Sequence, residues 1–557
     1  MRSLKILPVA LAFSVMPLAA SAQQPMVVGE VVDKIVAQEQ REMQLLRQYS
    51  PLVETSIQYV RPDKQLGAVP DGDKYFLGRA VLAKGVELEP LNRETSLKEK
   101  MFGNWGGFFS MEFVPAGFLQ MIYLDMNGFD RQHYKIEYVR REFLGEIRCM
   151  VFDVDPLPKA GKRRFVGRIW VEDQDYHIVR FNGSYGTPSS ASYFFSFDSW
   201  RMNAGPNVWV PAFVYVEDGS LWDGKARNLG FKAFRAQTRL WGYHVGHVGV
   251  EQELSTVFVE APRPVKDQTD SDGDPSPLQA ERTWGRKAED NVADHLERQG
   301  LLAPYGEVDK VVQTVADNLE TTNDLDIQPE VRCRVLMTST LESFTMGHTI
   351  VLSRGLIDVL PNEASLAAIL AHELAHILLG HRMDTQFAFL NRLRFNERET
   401  FRHFDFARSA EEEQAAKEKG IELLKNSPYK DQSGSAQLFL QALQDQSKEI
   451  PNLISPHLGD KVPTNWLLTL GGSSTQPPST KTENVIAALP VGGRVKVDPW
   501  NDQLRMLKSK PVGAVTESEK RPFQITPFAL YLTRQESSSS TGAPAGVAAE
   551  LDADARP

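Results

Sequence analysis

Residues 361–381 read Pro361-Asn362-Glu363-Ala364-Ser365-Leu366-Ala367-Ala368-Ile369-Leu370-Ala371-His372-Glu373-Leu374-Ala375-His376-Ile377-Leu378-Leu379-Gly380-His381. Asn362 is a candidate helix N-cap and Gly380 a candidate stop. Between Ala364 and Leu379 the only ionisable side chains are His372, Glu373 and His376; the rest are Ala, Leu, Ile and one Ser. The spacing therefore predicts a helix that is apolar on nearly every side and buried. Burying a carboxylate and two imidazoles costs several kcal/mol unless something compensates, and a divalent cation does so naturally. His372 and His376 lie one helical turn apart, so both can reach one ion. Glu373 is turned about 100° further round, placed to meet water rather than the metal.

A metal site that keeps one position for water needs a third protein ligand. Downstream, Glu411-Glu412-Glu413 opens a second predicted helix running to about Leu424. Glu413 shares its face with Ala410, Ala416, Gly420 and Leu424, a small and apolar stripe fit for packing. Glu411 and Glu412 point among polar residues. Glu413 is thus the candidate third ligand, and the bland alternative is an acidic helix start favoured by the helix dipole.

The motif His372-Glu373-Leu374-Ala375-His376 is the H-E-x-x-H zincin signature. With its surroundings it resembles the zinc metallopeptidases that include the CAAX prenyl endopeptidase, the HtpX heat-shock protease and periplasmic relatives. The likeness runs from about Gly306 to His457. It rests on Ile350-Val351-Leu352-Ser353 followed by Arg354-Gly355-Leu356-Ile357, on the motif helix extended to His381, and on Glu413-Gln414-Ala415-Ala416 with Gly420. The resemblance implies a Zn2+ cofactor, a protein or peptide substrate and peptide-bond hydrolysis, with Glu373 as general base. It also implies Glu413 as a ligand, through the family's Glu-x-x-Ala-Asp pattern. His457, in Ser455-Pro456-His457, resembles a late family histidine that stabilises the oxyanion or covers the site. Two departures stand out. The Asp of that pattern is Lys417 here, which cannot accept a hydrogen bond from a ligating His. The family's Asn-Ala-Phe strand start reads Glu342-Ser343-Phe344. His381 faces away from the metal side and reads as a supporting histidine. By the same resemblance the strand Thr349 to Ser353 would offer an edge to an extended substrate.

The rest of the chain sets these residues in an exported, two-part protein of α+β class. Its 557 residues exceed a single core, and a net charge of −10 supplies no basic surplus for nucleic acid. Arg2 and Lys5 precede the apolar run Ile6 to Ala20, and Ala20-Ser21-Ala22 completes a secretory signal at residues 1–22. That places the mature chain in the periplasm or outside the cell.

Residues 23–260 read as a β-rich accessory domain. After a helical stretch from Val28 to Gln48, runs such as Arg164 to Glu172, His177 to Asn182, Ser192 to Met202 and Val208 to Val216 alternate with polar turns. They indicate an antiparallel sheet, curled or half-barrel, with a lipoprotein-carrier fold as one version. Residues 261–278 read as a Pro- and Asp-rich linker. Its Asp270-Ser271-Asp272-Gly273 is a poor calcium loop, with Gln279 where a bidentate Glu belongs.

Residues 279–470 are the mainly helical peptidase domain with a small edge sheet. Within it Val308, Val311, Val312, Val315 and Leu319 share a helix face, and Phe387, Phe389, Phe395, Phe401, Phe404 and Phe406 read as helix packing. Residues 471–535 form a C-terminal extension and 536–557 a disordered tail. Cys149 and Cys333 read as two buried free thiols. Membrane-proximal or lipoprotein substrates are compatible with this organisation, and the oligomeric state is not encoded. A binding or chaperone protein with a weak peptidase site is the rival reading.

Overall fold

The structure, a computed structural model, describes residues 28–63, 67–83, 86–91, 118–126, 128–161, 164–186, 195–218, 233–243, 277–381, 406, 408–454, 458, 460–461, 495–497, 502–506, 525 and 530–534. Helix α1 (Val28–Leu46) is followed by strands β1 (Leu52–Asp63), β2 (Gly67–Val81), β3 (Glu87–Pro90), β4 (Tyr134–Leu144), β5 (Ile147–Pro156), β6 (Phe165–Glu172), β7 (Ile178–Tyr185), β8 (Phe195–Gly205), β9 (Val208–Asp218) and β10 (Ala233–Trp241). They form one antiparallel sheet ordered β3-β2-β1-β10-β9-β8-β7-β6-β5-β4. The sheet is a meander whose last strand returns beside β1. It is not closed, since β3 and β4 stand at opposite edges.

Period-two alternation buries the central strands of this sheet on both faces, while edge strand β4 is largely exposed. Met150, Phe152 and Val154 of β5 enter one core, while Cys149 and Val151 enter another. In the same way Val210, Val214 and Val216 of β9 face inward and Trp209, Phe213 and Tyr215 outward. The inner face is filled by Val31, Val32 and Ile35 of α1 and by Phe118 to Leu124. Ile525 and Leu532 from the far end of the chain cover part of the outer face.

The second half holds α2 (Pro277–Arg298), α3 (Glu307–Thr322), β11 (Arg332–Leu336), β12 (Glu342–Met346), β13 (Thr349–Ser353), α4 (Arg354–Val359), α5 (Glu363–Leu378), α6 (Ala410–Lys425), α7 (Ser433–Gln446), α8 (Pro451–Ile454) and β14 (Asp460–Lys461). Short strands β15 (Val495–Val497) and β16 (Leu504–Met506) pair with each other. The small sheet runs β11-β13-β12-β14. Strand β13 is therefore interior, hydrogen-bonded on both sides, and the expectation that it offers an edge to substrate is corrected. Helix α3 also departs from expectation at one position. Val308, Val312, Val315 and Leu319 are buried with Asp309 and Ala316, but Val311 is 45% exposed. It lies about 100° from the centre of the buried stripe.

The halves are fused by packing. Leu52, Leu77, Leu91 and Trp241 of the large sheet belong to the same core as Leu302, Leu336 and Phe344. Trp241 Nε1 donates to Gly300 O at 2.8 Å, and Asp73 Oδ1 and Oδ2 accept the N–H groups of Asn452 and Leu453 at the start of α8. The first two predicted linker residues inside the described chain, 277 and 278, already belong to α2; residues 261–276 lie outside the described residues. So do the predicted signal at 1–22 and the tail at 536–557. Both cysteines are buried and free. No helix among the described residues is long and apolar enough to cross a membrane.

Candidate metal centre

Helix α5 starts as the sequence suggests, with Asn362 Oδ1 accepting the Ser365 N–H at 2.9 Å. Every residue from Ala364 to Ile377 is buried. Its far end is shaped by Gly380, whose φ of 71° turns the chain back so that His381 N–H reaches His376 O at 3.1 Å. The same turn brings the His381 ring behind His376, with the two Nδ1 atoms 2.8 Å apart. His381 thus touches His376 from outside the donor triangle and restrains its ring.

Local chemistry also selects Glu413 among the three glutamates of α6. Ser409 caps the helix, its Oγ accepting from Glu412 N–H at 3.2 Å and Glu412 Oε2 accepting from Ser409 N–H at 3.0 Å. Glu412 is consumed by that box and Glu411 is exposed, so Glu413 is the acid left facing α5. Close approach of the helices depends on Gly420. A Cβ there would lie 3.2 Å from both Ala371 O and His372 Cα.

The result is a triangle of donor atoms. His372 Nε2 lies 3.2 Å from His376 Nε2 and 3.2 Å from Glu413 Oε2, and His376 Nε2 lies 3.3 Å from Glu413 Oε1. A tetrahedral cation with ligand bonds of about 2.0–2.1 Å has ligand–ligand edges of about 3.3–3.4 Å. Two imidazoles and one carboxylate at this spacing fit such an ion. The electrostatics agree. Burial outweighs the Glu413 contact at His372 and depresses its pKa, which keeps the ring neutral and its lone pair available. The positive charge of Lys417 pushes in the same direction. Burial opposes charge on His376 as well, but there the hydrogen bond to Glu413 and the charges of Glu373 and Glu413 win and the pKa rises. Glu413 resists its own burial through both histidines and stays ionised far below the usual carboxylate range.

Glu373, 1% exposed, is adjacent to this triangle. Its Oε1 accepts a hydrogen bond from Ser343 Oγ at 2.6 Å. Ser343 was not singled out as a functional residue, although it occupies the Ala position of the resembling Asn-Ala-Phe pattern. Arg408 was missed as well; it donates to Thr345 O at 3.2 Å and to Thr345 Oγ1 at 2.7 Å along β12. His457 lies outside the described residues, as do Phe387, Phe389, Phe395, Phe401 and Phe404. Phe406 is buried and stacks on Phe344 with ring centroids 4.5 Å apart.

Residues 303–397 match the model of Peptidase family M48. No curated protein matches the chain. The matched stretch contains His372, Glu373 and His376 but ends before Glu413, whose place in the site rests on geometry. The region that builds the two-histidine helix is similar to Peptidase family M48, and that likeness supports a metallopeptidase.

Proposed function

We propose that this chain is a zinc-dependent metalloendopeptidase acting on exported proteins, with a role in envelope protein quality control in the periplasm. The observation that carries the reading is the convergence of His372, His376 and Glu413 at a tetrahedral edge spacing, beside a buried carboxylate. The export part rests on the N-terminal sequence alone.

His372, His376 and Glu413 would hold the zinc through Nε2, Nε2 and a carboxylate oxygen. Zinc, when bound, supplies Lewis acidity toward water and toward the scissile carbonyl. Glu373 takes the proton of the attacking water on its carboxylate and delivers it to the leaving amine. Its neighbours suit that task. Ser343 fixes one carboxylate oxygen, and burial keeps the base away from bulk water. His381 holds the His376 ring in one orientation. His457, which lies outside the described residues, stays in the reading as a donor to the developing oxyanion on the resemblance alone.

The test pairs metal analysis with proteolysis of casein. Wild type should hold one zinc per chain and cleave casein; Glu373→Gln should keep the zinc and lose cleavage. A Glu373→Gln variant that cleaves like wild type removes Glu373 from the base role. A chain that takes up no zinc after supplementation removes the enzyme reading and favours the binding or chaperone alternative.

A further inference from the structure

Strand β12 reaches the site through Ser343, which contacts Glu373 of α5, and its first two residues are each held by several hydrogen bonds. Glu342 is fully buried, yet its carboxylate is satisfied: it accepts from Thr338 Oγ1 at 3.2 Å, from Thr340 Oγ1, and from Leu458 N–H at 3.0 Å. The Glu342 N–H in turn donates to Ser353 Oγ at 3.3 Å. Ser343 is paired on both flanks, opposite Leu352 of β13 and Asp460 of β14. The turn before the strand is fixed from the large sheet, where Glu54 on β1 accepts from Ser339 N–H and Ser339 Oγ, each at 2.6 Å. A residue so placed has little freedom to move.

We infer that Ser343 is a positioning residue for the catalytic base, its hydroxyl holding the Glu373 carboxylate in one orientation beside the His372–His376–Glu413 triangle. Three observations on geometry carry this. Ser343 is 1% exposed, so its hydroxyl is shielded from bulk solvent. Its Oγ lies 2.6 Å from Glu373 Oε1, within the range of a charge-assisted hydrogen bond from a hydroxyl to a carboxylate. The strand carrying it is anchored independently of α5, so the contact relates two separately fixed elements. A carboxylate on a helix can rotate about its last torsion with little cost. Fixing Oε1 fixes the carboxylate plane and with it the direction in which Oε2 points. A base needs that alignment more than it needs affinity for substrate, because misplacement acts on the reacting geometry.

This inference rests on the peptidase reading, and its test separates the two. The full chain is loaded with zinc as wild type, Ser343→Ala and Ser343→Thr. Five quantities are measured: kcat and KM on labelled casein, zinc per chain, melting temperature, and affinity for a peptide hydroxamate, whose acidic hydroxyl needs a carboxylate acceptor. Ser343→Ala should lower kcat about tenfold or more with KM within about twofold, and should weaken the hydroxamate about tenfold. Zinc content and melting temperature should stay at wild-type values. Ser343→Thr restores the hydroxyl on a strand that tolerates β-branching and should recover most of kcat and of hydroxamate affinity. Wild-type kcat and hydroxamate affinity in Ser343→Ala overturn the inference. So does an equal loss in Ser343→Ala and Ser343→Thr accompanied by lower melting temperatures, which marks a packing role only. Should the wild-type chain bind zinc and cleave nothing, the peptidase reading falls, and the hydroxamate affinities alone decide whether Ser343 positions Glu373.

Discussion

Glu54 on β1 accepts hydrogen bonds from both the backbone N–H and the hydroxyl of Ser339, a residue 285 positions later in the chain. Arg354 lies 3.9 Å from the same carboxylate, and Tyr75 OH donates to it at 2.7 Å. The large sheet therefore reaches, through one buried acid, the turn that leads into the strand beside the candidate base. That contact, with the shared core around Leu52 and Trp241, makes the sheet part of the scaffold of the metal centre.

Replacing Glu54 by Gln should expose this dependence. The amide supplies one acceptor where two oxygens served, and leaves Arg354 facing a neutral group. A destabilisation of about 3 kcal/mol is expected, typical of breaking a buried charged contact. Because the two halves share a core, calorimetry should show one transition moved to lower temperature. Two separate transitions, with only the first displaced, would show that the halves unfold independently.

What the sequence disclosed follows from the range of the interactions involved. Helix α5 was readable because three ionisable residues in an apolar run leave few alternatives, and Glu413 because its helix face is small and apolar. The strand pairs β6–β7 and β8–β9 were readable from local alternation and turns. Strand order was not. Nothing in Thr349 to Ser353 itself tells that β11 and β12 flank it, and a short apolar run fits an edge or a centre equally well. Contacts such as Ser343–Glu373 and Glu54–Ser339 join residues whose own neighbourhoods give no hint of a partner. Val311 was misplaced because a face of five apolar residues is wider than the stripe its helix buries.

Gly420 gives a second test of the helix pairing. Gly420→Ala would place a methyl carbon 3.2–3.3 Å from Ala371 O, His372 Cα and His372 N, all backbone atoms of α5. Neither helix can yield locally, so α6 must shift as a body and carry Glu413 with it. A stability loss of about 1–3 kcal/mol is expected from overpacking. Zinc affinity, measured by competition with a chromophoric chelator, should fall about tenfold or more. Unchanged affinity would mean that the α5–α6 spacing does not set the ligand triangle.

A buried network beneath α1 predicts a pH dependence unrelated to catalysis. Arg201 NH1 contacts Glu39 and Glu42 at 2.6 Å each, and His177 Nδ1 lies 2.8 Å from Glu42. Gln38 and Asn207 also face His177, and Glu172 accepts its backbone N–H. Two acids against one Arg leave a deficit that protonated His177 fills. Burial opposes that charge, but the bond and the charge of Glu42 prevail, and the His177 pKa rises above its usual 6.5. The stabilisation is therefore full below about pH 6.5 and is lost as pH climbs through the raised native value. Urea unfolding at pH 5.5 and pH 8.5 should show wild type losing stability at the higher pH. His177→Gln should flatten the difference; an unchanged profile would assign the pH effect elsewhere.

The sharpest test of the metal centre is Glu413→Gln, because it keeps size and removes charge. In the wild-type chain Glu413 remains ionised through His372 and His376, and it supplies the only carboxylate of the three-donor set. An amide oxygen is a poor ligand beside two neutral imidazoles, since no anionic donor is left to offset the charge of the cation. Zinc affinity should drop by about two orders of magnitude or more, while the helix cap built by Ser409 and Glu412 stays intact. Circular dichroism should thus match wild type, and metal titration should not. Glu412→Gln is the matched control: its amide oxygen can still accept the Ser409 N–H, so it costs only the helix-dipole contribution of the charge, about 0.3–1 kcal/mol, and should leave zinc stoichiometry at one. If the two variants bound zinc equally well, the acid that completes the site would have to be sought outside α6.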